Sequence, residues 1–242
     1  MIKGILFDKD GTLIDFFSLW LSAALKVVPV FLKENGIEAS DEMVQFLLCV
    51  LGVHDGKVDS NGALAYKSYG ETAEDICIAF KEKNIIFSKE KVRSQLEKMF
   101  NDSMLGSDVR FQVFTDMNVL MEHLKARKIV IGLATADTEI SATRCLSSIG
   151  IKHFFDYIGG DDGVKKPKPD KEMFCEFAQK YSLKPGEIAV VGDTYNDMMF
   201  AKVNGGIAIG VLSGVSEEKD FANQADYVIA SIHNLPELLD RI

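Results

Sequence analysis

Residues 2–13 of the chain read IKGILFDKDGTL, in which a mostly apolar run, residues 2–7, is followed by two carboxylates, Asp8 and Asp10. The run is too short for an ordinary helix, and its composition is typical of a strand buried inside a parallel sheet. Open sheets of this kind bind their ligands just beyond the carboxyl ends of the strands. The stretch therefore predicts a buried first strand that places both carboxylates at a binding edge.

The same pattern recurs further along the chain. Short apolar runs that end in polar turns occupy residues 129–134, 157–160, 188–191, 207–211 and 227–229. Amphipathic stretches separate them and predict helices at residues 116–128, 140–149, 170–181 and 196–203, with a last short helix after residue 234. This alternation predicts an α/β fold with a doubly wound, mostly parallel sheet of the Rossmann-like type.

Residues 16–108 interrupt the alternation with a helical insertion. Their spacing predicts helices at residues 16–33, 41–51, 72–83 and 89–100, and a loop at residues 52–70. A capping box formed by Thr72 and Asp75 is expected to start the third of these helices. We therefore expect a core domain of residues 1–15 and 109–242, and an inserted α-helical cap domain of residues 16–108.

Composition and charge exclude several classes of protein. Among 242 residues, 36 are acidic and 27 basic, so the net charge is −9 and no basic tail is present. Such a chain is a poor binder of nucleic acids or acidic membranes. The four cysteines form no CxxC pair, which favours reduced thiols in the cytoplasm. We expect a small-molecule ligand and a monomer or weak homodimer, with no membrane segment and no secretory leader.

Several predicted strands are followed by side chains that suit phosphate and metal chemistry. They are Asp8 and Asp10, Thr135, Asp161 and Asp162, and Asp193 and Asp197, with Lys166 shortly after the third group. Carboxylates gathered at one edge repel each other unless a cation joins them. Hard oxygen ligands favour Mg²⁺ as that cation.

Four motifs in this order resemble those of the haloacid dehalogenase-like (HAD) hydrolases. Residues 7–13, FDKDGTL, resemble the first motif, and Thr135 resembles the hydroxyl residue of the second. Residues 166–170, KPKPD, resemble the third motif, whose lysine would be Lys166. Residues 192–197, GDTYND, resemble the fourth. The insertion after the first motif is similar to the C1 cap of the phosphoglycolate-phosphatase-like subgroup.

The resemblance implies a catalytic and a metal-binding role for the acidic residues. Asp8 would be the nucleophile and form an aspartyl-phosphate. Asp10 would act as general acid and then as general base. Mg²⁺ would be held by Asp8, by the backbone carbonyl of Asp10 and by Asp193, with Asp197 acting through water.

The resemblance also implies how the phosphate and the rest of the substrate are bound. Thr135 and Lys166 would bind the phosphoryl oxygens. Asp161 and Asp162 are interpreted as turn residues or as supports of the site. The cap would select the leaving group, and Lys57 and Lys67 are the candidate specificity residues there, with a solvated loop as the simpler interpretation.

Two residues depart from the pattern of this family. Lys9 stands between Asp8 and Asp10, where an apolar residue is more common. We expect its side chain to point to solvent or to a hinge, with a place beside the phosphate as the alternative. Asp137 lies two residues after Thr135, where relatives often carry Asn. It could repel an anionic substrate or bind a distal polar group.

The leading hypothesis is a Mg²⁺-dependent phosphatase that hydrolyses small, phosphoglycolate-like phosphomonoesters. A hexose-phosphate mutase of the same fold is the first alternative, because it would need the same two aspartates. A phospho-acceptor signalling domain also combines an acceptor Asp with a Thr and a Lys, but it lacks a large insertion after the first strand. A dehalogenase is disfavoured because a departing halide needs no general acid such as Asp10.

Overall fold

The computed structural model describes residues 1–15, 20–59, 62–104, 111–161, 163–221 and 223–242. The central sheet of the described residues has six parallel strands: β1 (Gly4–Phe7), β4 (Val130–Ala134), β5 (Tyr157–Gly159), β6 (Ile188–Gly192), β7 (Ile207–Val211) and β8 (Tyr227–Ile229). Their order across the sheet is β5-β4-β1-β6-β7-β8. Two short antiparallel strands, β2 (Val53–His54) and β3 (Lys57–Val58), form a separate hairpin. The predicted doubly wound parallel α/β fold is confirmed.

Helices follow the strands of the sheet and make up most of the insertion. Those of the insertion are α1 (Ser22–Glu34), α2 (Asp41–Val50), α3 (Ala63–Tyr66), α4 (Tyr69–Glu82) and α5 (Lys89–Met104). Those that accompany the sheet are α6 (Met117–Ala126), α7 (Glu139–Ser148), α8 (Glu172–Lys180), α9 (Tyr195–Val203), α10 (Glu218–Phe221) and α11 (Leu235–Arg241). No helix in the described ranges has the length and apolar character needed to cross a membrane.

The chain divides into two compact units. Unit 1 contains Met1–Phe16 and Phe111–Ile242, and unit 2 contains Phe17–Arg110. The core of unit 1 lies between the sheet and its helices and includes the fully buried rings of Phe174, Phe177 and Phe200. The expected boundaries at residues 15/16 and 108/109 involve residues outside the described ranges.

Unit 2 differs from the sequence-based expectation in two places. Residues 52–70 are not simply a loop, since they contain the β2–β3 hairpin and the short helix α3. Helix α4 begins at Tyr69, so the expected capping box at Thr72 is wrong. The capping residue is Ser68, whose hydroxyl accepts the Glu71 N–H while the Glu71 carboxylate accepts the Ser68 N–H. This box lies one turn before the expected one, so Thr72 is inside helix α4 instead of at its start. Tyr69 and Thr72 are both buried.

The strand order explains where a ligand site can form. From β1 the chain continues to β4 on one side and later returns to β6 on the other. Such a reversal of strand order opens a crevice at the carboxyl ends of the two central strands. Asp8 follows β1 and donates its N–H to the Val191 carbonyl of β6 at 2.8 Å. Asp193 directly follows β6, so both aspartates lie at this crevice.

Candidate active site

Three buried carboxylates meet at the carboxyl ends of β1 and β6. Asp8 and Asp193 follow these strands, and Asp197 lies in the first turn of α9. One carboxylate oxygen from each of them lies within 4.8 Å of the others. The fold thus brings together three of the acidic residues predicted for the site: Asp8 and Asp193 at strand ends, and Asp197 in the helix that follows β6.

Lys168 connects two of these carboxylates. Its Nζ lies 2.7 Å from Asp8 Oδ1 and 2.6 Å from Asp197 Oδ1, and only 5% of its side chain is exposed. Burial disfavours the ammonium, but the adjacent Asp197 and Asp8 carboxylates outweigh this and raise the pKa of Lys168 above its usual value. The lysine therefore carries a permanent positive charge between two carboxylates.

Lys166 was predicted to be the lysine of this site, but the structure places it outside the site. Its side chain is 72% exposed, and its Nζ lies 3.8 Å from Asp170, outside the carboxylate cluster. The sequence contains two Lys-Pro pairs, at residues 166–167 and 168–169. The second pair stands closer to the start of α8 at Glu172, so Lys168 takes the place that was expected for Lys166.

Burial disfavours the ionised form of two carboxylates of this cluster, Asp8 and Asp193. Desolvation, followed by repulsion from Asp197 and Asp10, raises the pKa of Asp8 to about 7 although Lys168 opposes the shift. Desolvation and the neighbouring Asp8 and Asp197 also raise the pKa of Asp193 well above its usual value. A further cation beside Asp8 and Asp193 would favour the charged form of both.

The residues present fit a divalent metal ion. Among the described residues, the buried Asp193 Oδ1 has no hydrogen-bond partner, while Oδ2 accepts the Val215 N–H at 2.9 Å. A buried carboxylate oxygen without a donor is strongly destabilising unless an ion satisfies it. The donor set of Asp8, Asp193 and Asp197 consists of hard oxygens, as Mg²⁺ prefers. Whether the Asp10 carbonyl completes this set stays a prediction.

Asp197 is held on both of its oxygens. Oδ2 accepts the Thr194 hydroxyl at 2.6 Å and the Thr194 N–H at 3.1 Å, in a capping box that starts α9. Oδ1 accepts Lys168. Asp197 therefore binds both Lys168 and the start of helix α9. A contact of Asp197 with the metal through water stays a prediction.

Two glycines allow the chain to approach Asp193 closely. Gly11 has a φ of +78°, and a Cβ there would lie 2.3 Å from Asp193 Oδ2. A Cβ on Gly214 would lie 1.9 Å from the same oxygen. The loop that contains Gly214 also donates from the Ser213 hydroxyl to the Gly11 carbonyl at 2.8 Å. Sequence reasoning missed this loop, although its Ser-Gly pair after a predicted strand was an available signal.

The remaining strand-end residues have different places. Thr135 follows β4 and is buried, and its Oγ1 accepts the Asp137 N–H at 3.1 Å. Because β1 pairs with β4, Thr135 lies on the strand next to Asp8. Asp161 is a buried turn residue whose Oδ1 accepts the Gly163 N–H. Asp162 lies outside the described residues.

Lys9 does not point to solvent. Only 2% of its side chain is exposed, and its Nζ lies 2.9 Å from one oxygen each of Asp10 and Asp137. Burial disfavours the ammonium, but these two carboxylates outweigh it and raise the pKa of Lys9 above its usual value. Burial also raises the pKa of the nearby Cys145 thiol to about 12, so this neighbour remains neutral. The two departures from the family pattern thus form an ion pair with each other.

The candidate specificity residues both lie in unit 2. Lys57 is an exposed residue of β3. Lys67 precedes α4 and forms an ion pair with Asp75, with 2.6 Å between Nζ and Oδ2. Their role in choosing substrates stays a prediction.

A crevice of a parallel α/β fold that combines buried carboxylates with a charged lysine, next to a strand that ends at a threonine, is typical of phosphoryl chemistry. The family model of haloacid dehalogenase-like hydrolases matches residues 2–205. The chain belongs to this hydrolase family.

Similar proteins agree with this assignment. The phosphoglycolate phosphatase of Shigella boydii is 25% identical over 246 residues, which cover 97% of this chain and 91% of the relative. The pyrophosphatase PpaX of Bacillus velezensis is 23% identical over 235 residues, with 97% and 94% coverage. The crystal structure of β-phosphoglucomutase from Clostridium difficile is 21% identical, with a TM-score of 0.70 and coverage of 100% and 96%. The chain is a phosphatase of this family.

Replacing the two lysines separately tests the corrected assignment. Lys168→Met is expected to reduce kcat for phosphate release by about 100-fold or more, because a buried cation that faces the reacting oxygens is lost. Lys166→Met is the matched control, since its side chain is largely in solvent, and should stay within about threefold of the wild type. Steady-state phosphate release measures both. An equal loss in the two variants would contradict the placement of Lys168.

Proposed function

We propose that the chain is a Mg²⁺-dependent phosphatase that hydrolyses small phosphomonoesters through an aspartyl-phosphate on Asp8. The observation that carries the proposal is the Lys168 ammonium lying between Asp8 and Asp197 with Asp193 in the same cluster. It supports a nucleophilic carboxylate that is held by one cation at a fixed position. A second cation beside it would allow a phosphate dianion to approach without repulsion.

The first step would form the covalent intermediate. A carboxylate oxygen of Asp8 attacks phosphorus, and the bond between phosphorus and the leaving alcohol oxygen breaks. Asp10 donates its proton to that oxygen. The Thr135 hydroxyl and the Lys168 ammonium would bind the phosphoryl oxygens as their charge increases.

The second step would release inorganic phosphate. Asp10, now a carboxylate, takes a proton from water as the water oxygen attacks phosphorus. The bond between phosphorus and the Asp8 oxygen breaks, and Asp8 returns as a carboxylate. A Mg²⁺ ion bound by Asp8 and Asp193 would neutralise the nucleophile and the phosphate together.

The proposed substrates are small phosphate esters of the phosphoglycolate type. The names of two relatives, a phosphoglycolate phosphatase and a pyrophosphatase, support compact substrates in which phosphate is a large part of the molecule. Lys57 and Lys67 of unit 2 are the proposed selectors of a second negative group. We propose that the enzyme works in the cytoplasm, which its four free cysteines support. We also propose that it acts as a monomer or weak homodimer.

The nucleophile is tested by the nearly isosteric change Asp8→Asn. It should abolish measurable turnover while the protein stays folded, because an amide cannot form the acyl-phosphate. Phosphate release across a panel that includes phosphoglycolate and pyrophosphate measures the loss, and circular dichroism checks the fold. Activity within about tenfold of the wild type would be incompatible with covalent catalysis at Asp8.

Metal dependence is tested by chelation and by titration at several pH values. Activity should disappear in excess chelator and return with Mg²⁺. Because the pKa of Asp8 is about 7 and that of Asp193 is also raised, protons compete with the metal for these carboxylates. Metal affinity should therefore rise as the pH rises through about 7, as calorimetry can measure. Full activity in chelator would refute the metal requirement.

The mutase alternative differs only in what attacks the phosphorylated Asp8. It has structural support, since β-phosphoglucomutase from Clostridium difficile shares the fold. Glucose 1-phosphate supplied with a catalytic amount of sugar bisphosphate separates the two reactions. We expect free phosphate as the main product, because water is the proposed acceptor. Faster formation of glucose 6-phosphate than of phosphate would establish the mutase instead.

A further inference from the structure

Lys9 is a buried cation for which the proposed chemistry has no use so far. Its Nζ lies 2.9 Å from Oδ2 and 3.2 Å from Oδ1 of Asp10, so that one ammonium contacts both oxygens of the carboxylate. It also lies 2.9 Å from Asp137 Oδ2. These contacts restrict rotation of the Asp10 carboxylate about its side-chain bonds.

Asp137 is itself fixed by the turn that follows β4. Its Oδ1 accepts the Thr138 N–H at 2.7 Å, and its own N–H donates to Thr135 Oγ1 at 3.1 Å. The Asp137 carbonyl accepts the Asp161 N–H at 2.8 Å. Asp137, which the turn holds in place, therefore anchors the Lys9 ammonium. This fixes the position of the ammonium next to the Asp10 carboxylate.

Stability alone is a weak explanation for this arrangement. A buried ion pair costs desolvation energy, and well-packed apolar side chains of similar volume often serve stability as well or better. Asp137 also adds a negative charge close to a site that must accept an anion. A role in catalysis would explain why this desolvation energy is tolerated. If the ion pair holds the Asp10 carboxylate in one rotamer, the carboxylate can reach the proton that it transfers.

We propose that Lys9, anchored by Asp137, is a positioning residue that holds the Asp10 carboxylate in the orientation needed to activate water. The inference rests on the proposed function and adds to it a residue that acts through Asp10. In the step concerned, the water oxygen forms a bond to phosphorus and the bond to the Asp8 oxygen breaks. The water proton passes to the Asp10 carboxylate, whose orientation Lys9 fixes.

The test compares variants with p-nitrophenyl phosphate as the substrate. Its leaving group departs as a stable anion, so formation of the phosphoenzyme does not depend on Asp10, whereas hydrolysis does. The variant is Lys9→Met combined with Asp137→Asn, which removes the ammonium without leaving two buried carboxylates facing each other. Asp137→Asn alone is the matched control, since it keeps Lys9 against Asp10. Rapid-quench measurements give the decay rate of the phosphoenzyme.

We expect the double variant to slow phosphoenzyme decay by about tenfold or more, which is the low end of a general-base contribution. Its kcat/KM should stay within about threefold, so that kcat and KM fall together and the phosphoenzyme accumulates. Asp137→Asn alone loosens the anchor but keeps the Lys9 ammonium against Asp10, so it should slow the decay less than the double variant does. Lys202→Met, which breaks a surface ion pair with Asp226, should change neither quantity.

Several results would overturn the inference. Decay within about threefold of the wild type in the double variant would show that Lys9 does not act on this step. A parallel loss of kcat/KM would indicate general damage to the site, and an equal effect of Asp137→Asn alone would assign the role to Asp137. The second variant is Lys9→Gln with Asp137→Asn. Its phosphoenzyme should decay more slowly than the phosphoenzyme of Asp137→Asn. If neither double variant folds, Lys9 is structural and the proposal fails.

The same experiment separates this inference from the proposed function. Wild-type enzyme that releases nitrophenol without any phosphoenzyme would refute the aspartyl-phosphate mechanism itself. Wild-type enzyme that forms and hydrolyses a phosphoenzyme, together with unaffected variants, would refute only the role of Lys9.

Discussion

The ion pair between Lys168 and the carboxylates of Asp8 and Asp197 is the interaction on which the rest of the site depends. Three carboxylates buried within a few ångströms of each other cannot all be charged without cations. Lys168 supplies one positive charge from the turn before α8, and its pKa is raised by the carboxylates that it contacts. In the proposed mechanism, Mg²⁺ would neutralise the remaining negative charge, and the bound ion would help to bind the phosphate. Each of the three, first lysine, then metal, then substrate, would depend on the charge already in place.

A second charge arrangement lies beside the first and follows the same rule. Lys9 is buried against Asp10 and Asp137, so each half of the proposed reaction machinery has its own lysine. In the proposed mechanism, Lys168 holds the nucleophile and Lys9 holds the proton-transfer group. Separate cations allow the two carboxylates to differ in their environments although only one residue lies between them. Two neighbouring acids with different surroundings are what a nucleophile and a general base require.

The sequence predicted the residues whose place depends on local pattern, and missed those whose place depends on distant partners. Asp8 and Asp193 were predictable because short apolar strands end directly before them. Lys166 was predicted in place of Lys168, because both residues precede a proline and only the turn into α8 distinguishes them. Lys9 was misplaced because its anchor, Asp137, is far away in sequence. The β2–β3 hairpin was missed because two-residue strands are too short to show a period.

The separation of the site residues along the chain also affects how the protein folds. Asp8 and Lys168 are 160 positions apart, and the whole of unit 2 is inserted between them. Bringing together two residues so far apart in sequence costs chain entropy, which increases slowly with the length of the loop between them. A chain that ends before residue 168 lacks the lysine that pairs with Asp8. An ion or ester that binds this cluster in the folded chain alone would stabilise the native state, and more strongly at higher concentration.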